Sequence, residues 1–126
     1  MTFDATRSIA LAAAVSAAFA AGAAHAQPAA APPSFGVCAA CHESTAGARP
    51  SLGPNLFGVG GRKAGSVADY DYSPAMKAST TVWTAETLAP FIQDPTKSIP
   101  GNKMDYDGSD AETAKAIAAY LMTLKP

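Results

Sequence analysis

Apolar positions along the chain fall into a few short helical stripes, separated by long stretches with no period, and no segment alternates as a β-strand would. The clearest stripe lies near the C-terminus, where Ile117, Tyr120, Leu121 and Leu124 share one helical face. Ser109 and Glu112, three positions apart just before it, have the pattern of a capping box and set its expected start. A second stripe places Leu88, Phe91 and Ile92 at i, i+3 and i+4 after Thr84 as N-cap, and Asp94-Pro95 stops it. A first helix is expected from about Pro33 to Glu43, because proline suits a first helical turn, where its missing N–H is not needed. A short helical turn is expected to begin at Pro74. Between His42 and Pro74 stand eight glycines and prolines, from Gly47 to Gly65, and a loop this long in a small domain ordinarily wraps something.

The N-terminus has a different pattern. Arg7 is followed by an uncharged run from Ile9 to Ala24, and Ala24-His25-Ala26 is a small-x-small cleavage signal, so residues 1–26 read as a secretory leader. The run is mostly alanine and shorter than the roughly 20 large apolar residues of a membrane span, which favours cleavage over anchoring. Residues 27–33 form a Pro/Ala-rich tail, and 34–126 the single domain. The address implied is the bacterial periplasm.

Composition sharpens the picture. Alanine fills 15 of the first 33 positions and inflates an overall hydrophobic content of 48%. From Gln27 onward Val, Ile, Leu and Phe number only 15 in 100 residues, thin for a self-sufficient core. A net charge of −1 does not explain this as disorder, and it lacks the basic excess of a nucleic-acid binder. Something other than side chains is expected to fill the centre.

The two cysteines and the sole histidine left after the leader stand together as Cys38-Ala39-Ala40-Cys41-His42. On a helical turn, positions i and i+3 put both thiols on one face, where each can add across a vinyl group of a porphyrin, and the next residue turns its imidazole to the iron. This is the attachment pattern of c-type haem. A structural zinc site would need four ligands. A redox dithiol would need a βαβ setting in place of a proline-rich tail, and a Cys38–Cys41 disulfide closes too short a loop to stabilise much. The sixth iron ligand would separate a carrier from a catalyst. Met122 lies off the C-terminal stripe and is expected at the surface, Met76 suits core packing, and Met104 follows the irregular stretch Ile99-Pro100-Gly101-Asn102-Lys103, which can bring a thioether against a flat cofactor. His/Met ligation raises the reduction potential.

Cys38-Ala-Ala-Cys41-His42, Gly53-Pro54-Asn55-Leu56, Gly61-Arg62-Lys63, Trp83 and Pro100-Gly-Asn-Lys-Met104 occur in an order that resembles the class I cytochromes c, the small soluble mitochondrial and bacterial kind. The resemblance covers nearly all of residues 34–125, and the 62 positions between His42 and Met104 suit that family. It implies an all-α cytochrome c fold, with three main short helices and long loops wrapped around one covalent haem c that is bound through Cys38 and Cys41. His42 and Met104 would be the axial ligands, and Pro54 would accept from the Nδ1–H of His42. Arg62, Tyr72 and Trp83 would hydrogen-bond a buried propionate, and Phe35 would pack against Tyr120 and Leu121. The implied function is one-electron transfer as a monomer between a redox-protein donor and acceptor, with no enzymatic activity, small-molecule substrate or nucleic acid. The other classes are a haem enzyme or gas or peroxide sensor in which Met104 is displaced, and a membrane-anchored electron-transfer subunit. Phe91 stands where many members of the family have tyrosine near the methionine sulfur, and Asn102 where many have threonine.

Overall fold

The computed structural model describes residues 29–125; the expected leader, residues 1–26, and the first two residues of the tail lie outside them. A single 3₁₀ turn, Pro33–Phe35, runs into α1 (Gly36–Ala39), and after a long loop come α2 (Pro74–Ala78), α3 (Ala85–Gln93), α4 (Pro95–Ser98) and α5 (Ala111–Leu121). Among the described residues there is no strand. One isolated antiparallel bridge, Lys63 with Val82, ties the loop to the segment entering α3.

Helices α2 to α5 each start where a side chain accepts from an otherwise unpaired backbone N–H, whereas α1 continues directly from the 3₁₀ turn with no side-chain cap. Thr84 caps α3, as the pattern predicts, and does so through a reciprocal box with Thr87 that the pattern did not mark. Ser73 caps α2 by accepting from the Met76 N–H at 3.1 Å. Asp94-Pro95 stops α3 and also opens α4, because Pro95 takes the first helical position and the Asp94 carboxylate accepts from the Lys97 N–H at 2.9 Å.

Three expectations are corrected. The cap of α5 is Asp110, not Ser109: its carboxylate accepts from the Thr113 N–H (2.9 Å) and hydroxyl (2.7 Å). Two bonds to an anion at a helix N-terminus outweigh what a serine hydroxyl one position earlier could offer. The first helix ends at Ala39 rather than Glu43: the N–H groups of Cys41 and His42 both turn back to the Cys38 carbonyl, and the chain beyond is held by the loop, the Cys41 and Glu43 carbonyls accepting from the N–H groups of Gly53 (2.7 Å) and Leu56 (2.8 Å). Met122 is half-buried rather than on the surface. The chain bends after Leu121 so that the Leu124 carbonyl accepts from Gly58 N–H, and this lays the Met122 thioether along Gly60.

The core is built where α5 packs on α3. Ala114, Ile117, Ala118 and Leu121 of α5 and Leu88, Ala89, Phe91 and Ile92 of α3 are all buried, the alanines letting the two helices close on each other. Phe35 reaches the far end of α5, where its ring meets Tyr120 edge to face at 4.8 Å, so the expected docking of first and last helices is made even with a truncated α1. Around this core lies a rim of apolar groups that stay only partly covered, among them Cys38, Leu56, Phe57, Tyr72, Met104 and Tyr106. The thinness read from composition is visible as that rim.

Candidate functional site

His42 follows the last turn of α1, and its own N–H and that of Cys41 both return to the Cys38 carbonyl (2.9 and 3.1 Å). This tight wrap keeps the two cysteines and the histidine within one turn. Both thiols are half-buried and unpaired with each other. Burial pushes the Cys38 thiol above its ordinary range, with the neighbouring Cys41 adding to the effect.

The His42 ring is fixed from behind. Its Nδ1 is 2.8 Å from the Pro54 carbonyl, which makes Nδ1 the protonated nitrogen and leaves Nε2 as the one with a free lone pair. Burial holds the imidazole below its ordinary pKa, partly offset by the Pro54 bond, so the neutral, ligating form is favoured. Gly53 is buried against the ring, and a Cβ there would stand 2.6 Å from Nδ1 and 2.9 Å from Nε2. Only glycine lets the backbone approach the imidazole this closely.

Two asparagines outside the expected site residues, Asn55 and the Asn102 that replaces the family's usual threonine, brace the loops around His42 and Met104 in the same way. Asn55 donates to the carbonyls of Thr45 and Ala48 (2.8 Å each) and accepts from the Phe57 N–H at 2.9 Å. Asn102 donates to the carbonyls of Pro95 and Ile99 (2.8 Å each) and accepts from the Met104 N–H at 2.9 Å. Each turns an irregular segment into a fixed one, with Met104 half-buried at the end of the second. An asparagine among Gly and Pro, able to donate and accept at once, was the available signal.

Arg62 lies beside Tyr72, and its backbone is hydrogen-bonded to that of Trp83. The backbone N–H of Trp83 donates to the Arg62 carbonyl at 2.9 Å, while the Arg62 and Tyr72 side chains are close enough for each to shift the other's titration. The guanidinium donates to Asn55 O (2.8 Å) and Phe57 O (3.2 Å), which uses two of its five N–H groups and leaves the others for an anion. Burial lowers its pKa, and the Tyr72 hydroxyl nearby opposes this. Trp83 is buried and packs on Phe91 with ring centroids 5.0 Å apart.

The donor set fits a covalently held porphyrin. It offers two adjacent unpaired thiols, an imidazole with its second nitrogen spent on a carbonyl, a thioether on a braced loop, a half-buried guanidinium, and a partly covered apolar rim.

Comparison with known proteins agrees. The cytochrome c family model matches residues 19–125. Cytochrome c2 iso-2 of Magnetospirillum fulvum is 45% identical over 96 residues, 75% of this chain and 98% of the relative. Cytochrome c-550 of Bradyrhizobium diazoefficiens is 45% identical over 80 residues, 64% of this chain and 59% of the relative. Among solved structures, cytochrome cH from Methylobacterium extorquens superposes with a TM-score of 0.65 at 41% identity, covering 71% of this chain and 91% of that one. Ferricytochrome c2 from Rhodopseudomonas palustris gives 0.66 at 32% identity, covering 73% and 93%. The chain belongs to the cytochrome c family, class I. It has the all-α fold of that class, carries one haem c attached through Cys38 and Cys41, and transfers electrons.

Proposed function

We propose that this chain is a periplasmic one-electron shuttle in which His42 and Met104 would hold the haem iron and Arg62, Tyr72 and Trp83 would hydrogen-bond a propionate. The observation that carries the reading is the matched bracing of the two ligand segments, His42 by Pro54 and Gly53, and Met104 by Asn102. A carrier needs ligands that stay put in both oxidation states, so that little reorganises when the electron moves.

The haem, once attached, supplies the one-electron couple of its iron. The chain does the rest. Pro54 holds the His42 ring in one tautomer and one orientation. Asn102 keeps the Met104 backbone from drifting, and Arg62 offers positive charge where a carboxylate would be buried. Because His42 and Met104 would both hold the iron, a small-molecule substrate would have to displace Met104 to reach it, so the role is that of a carrier meeting redox-protein donor and acceptor as a monomer, and not of an enzyme. The Arg7 n-region, the run Ile9–Ala24 and the Ala24-His25-Ala26 site support secretion of residues 27–126 after cleavage, with a short tail to 33 before the domain. Among the described residues no helix is long and apolar enough to cross a membrane.

The test is Met104→Ala. The variant should lose the spectral signature of methionine-ligated ferric haem, show a lower potential, and bind imidazole readily where the parent resists it. An unchanged spectrum and potential would remove Met104 from the iron.

A further inference from the structure

Outside the ligands, one cluster joins three segments far apart in sequence. The Tyr70 hydroxyl donates to the Leu52 carbonyl at 3.0 Å, on the segment that leads into Gly53 and Pro54 behind His42. The face of the same ring receives Lys103 Nζ, 5.0 Å from its centroid. Lys103 also lies 3.8 Å from Asp71 Oδ2, while Asp71 Oδ1 holds Lys77 of α2 at 3.1 Å. Tyr72 meets Tyr70 edge to face at 4.8 Å and steadies the ring. Lys103 is the residue immediately before Met104. The backbone that carries the thioether is therefore held from one direction by Asn102 and from another by Tyr70 and Asp71.

We propose that Tyr70 and Asp71 form a clasp, closed on Lys103, that ties the Met104 segment to the segment behind His42 and sets how fast Met104 gives way to an outside ligand. The proposal rests on Met104 being the sixth ligand. For the thioether to withdraw, the backbone at 103–104 must move away, and that breaks the ion pair with Asp71 and pulls the ammonium off the Tyr70 face. Neither contact is strong alone. The Asp71 carboxylate is 86% exposed and the Lys103 side chain 47%, so the pair is worth about a two- to five-fold change in a rate at low salt and fades as salt screens it. The cation–π contact adds a comparable factor with a weaker salt dependence. Tyr70 and Asp71 are positioning residues, since they act on Met104 only through Lys103.

The experiment uses the ferric holoprotein mixed rapidly with rising imidazole. Where Met104 must leave first, the observed rate climbs to a plateau that reads its release. Asp71→Asn should raise that plateau about two- to five-fold at low salt, and Asp71→Glu should bring it back towards the parent value. Added salt should raise the parent's plateau towards that of Asp71→Asn. Tyr70→Leu should raise it more than Tyr70→Phe, which keeps the ring under Lys103. Asp69→Asn makes the same charge change two residues away on an exposed side chain and should leave the plateau unchanged. Plateaus unmoved by both Asp71→Asn and Tyr70→Leu overturn the clasp, as does an equal rise in Asp69→Asn. A parent ferric protein that lacks the spectral signature of methionine-ligated haem before imidazole is added would instead remove Met104 as ligand and the clasp with it.

Discussion

Replacing Gly53 with alanine is the most direct probe of how the histidine is held. The new methyl carbon would sit 2.6 Å from His42 Nδ1, about 0.9 Å inside the ~3.5 Å at which such atoms rest in favourable contact. The ring has to retreat by at least that much, which disrupts its 2.8 Å bond to the Pro54 carbonyl. Losing the bond costs about 1 kcal/mol and the forced repacking about 1–3 kcal/mol. Against this, alanine restricts the unfolded chain and returns about 0.4–1 kcal/mol. The net is a loss of about 1–3 kcal/mol, read as a lower denaturant midpoint at unchanged slope, with Tm falling by roughly 4–8 °C per kcal/mol for a chain of this size. The potential should rise at the same time, since an imidazole stripped of its Nδ1–H···O bond is a weaker donor to ferric iron. Gly36→Ala is the control: that glycine has helical φ (−54°) and nothing within 4 Å of a Cβ, so the variant should gain about 0.5–1 kcal/mol. A Gly53→Ala protein that matches the parent in midpoint and potential would refute the packing of the ring against the backbone.

Two further outcomes follow from the geometry. Asp110→Ala should lower stability and Ser109→Ala should not, because Ser109 Oγ reaches only the neighbouring Asp110 carbonyl while Asp110 caps α5. Bonds from Thr113 hold the Asp110 carboxylate below its ordinary range, so its contribution is complete above about pH 3.9 and disappears as pH falls through the lowered folded value; Asp110→Asn, compared with the parent by denaturation down an acid series, should keep the cap and flatten this dependence. Electron-transfer rates with the physiological partner should decline only modestly from low to moderate salt, because Asp71 pairs with both Lys77 and Lys103 and leaves no lysine-rich patch there to steer encounter; a steep decline in stopped-flow rates would contradict it.

What could be read from the sequence was what short-range physics determines. Thr84 and the Leu88/Phe91/Ile92 stripe sit within a few residues of one another, so cap, face and stop were all legible. The Cys38–His42 turn is equally local, and its spacing carries the chemistry by itself. The α5 cap was misread by one residue because two acceptors, Ser109 and Asp110, precede the same stripe, and the choice turned on a second bond to Thr113. The end of α1 was not legible, since the partners that hold the chain just beyond it, Gly53 and Leu56, come back from more than ten residues away. The need for glycine at 53 was hidden for the same reason. It comes from contact with a ring eleven residues earlier, and nothing in the local pattern separates that glycine from the others in the loop. Met122 was misplaced because the helical stripe was carried past Leu121, where the chain bends to meet Gly58.

The twin asparagine braces also bear on how the molecule ages. Each holds its amide nitrogen 2.8 Å from two carbonyl oxygens. Slow hydrolysis of such an amide leaves a carboxylate, and an oxygen then stands where the nitrogen stood, with no proton to share. At Asn55 the damage would loosen the loop leading away from His42. At Asn102 the bond to the Met104 N–H would survive while the two that anchor the segment turned repulsive. At Asn102 a single chemical event, visible in overall mass only as one unit, would loosen the segment that carries the Met104 thioether. The side chains that make these loops rigid also make the protein's working lifetime a matter of amide chemistry.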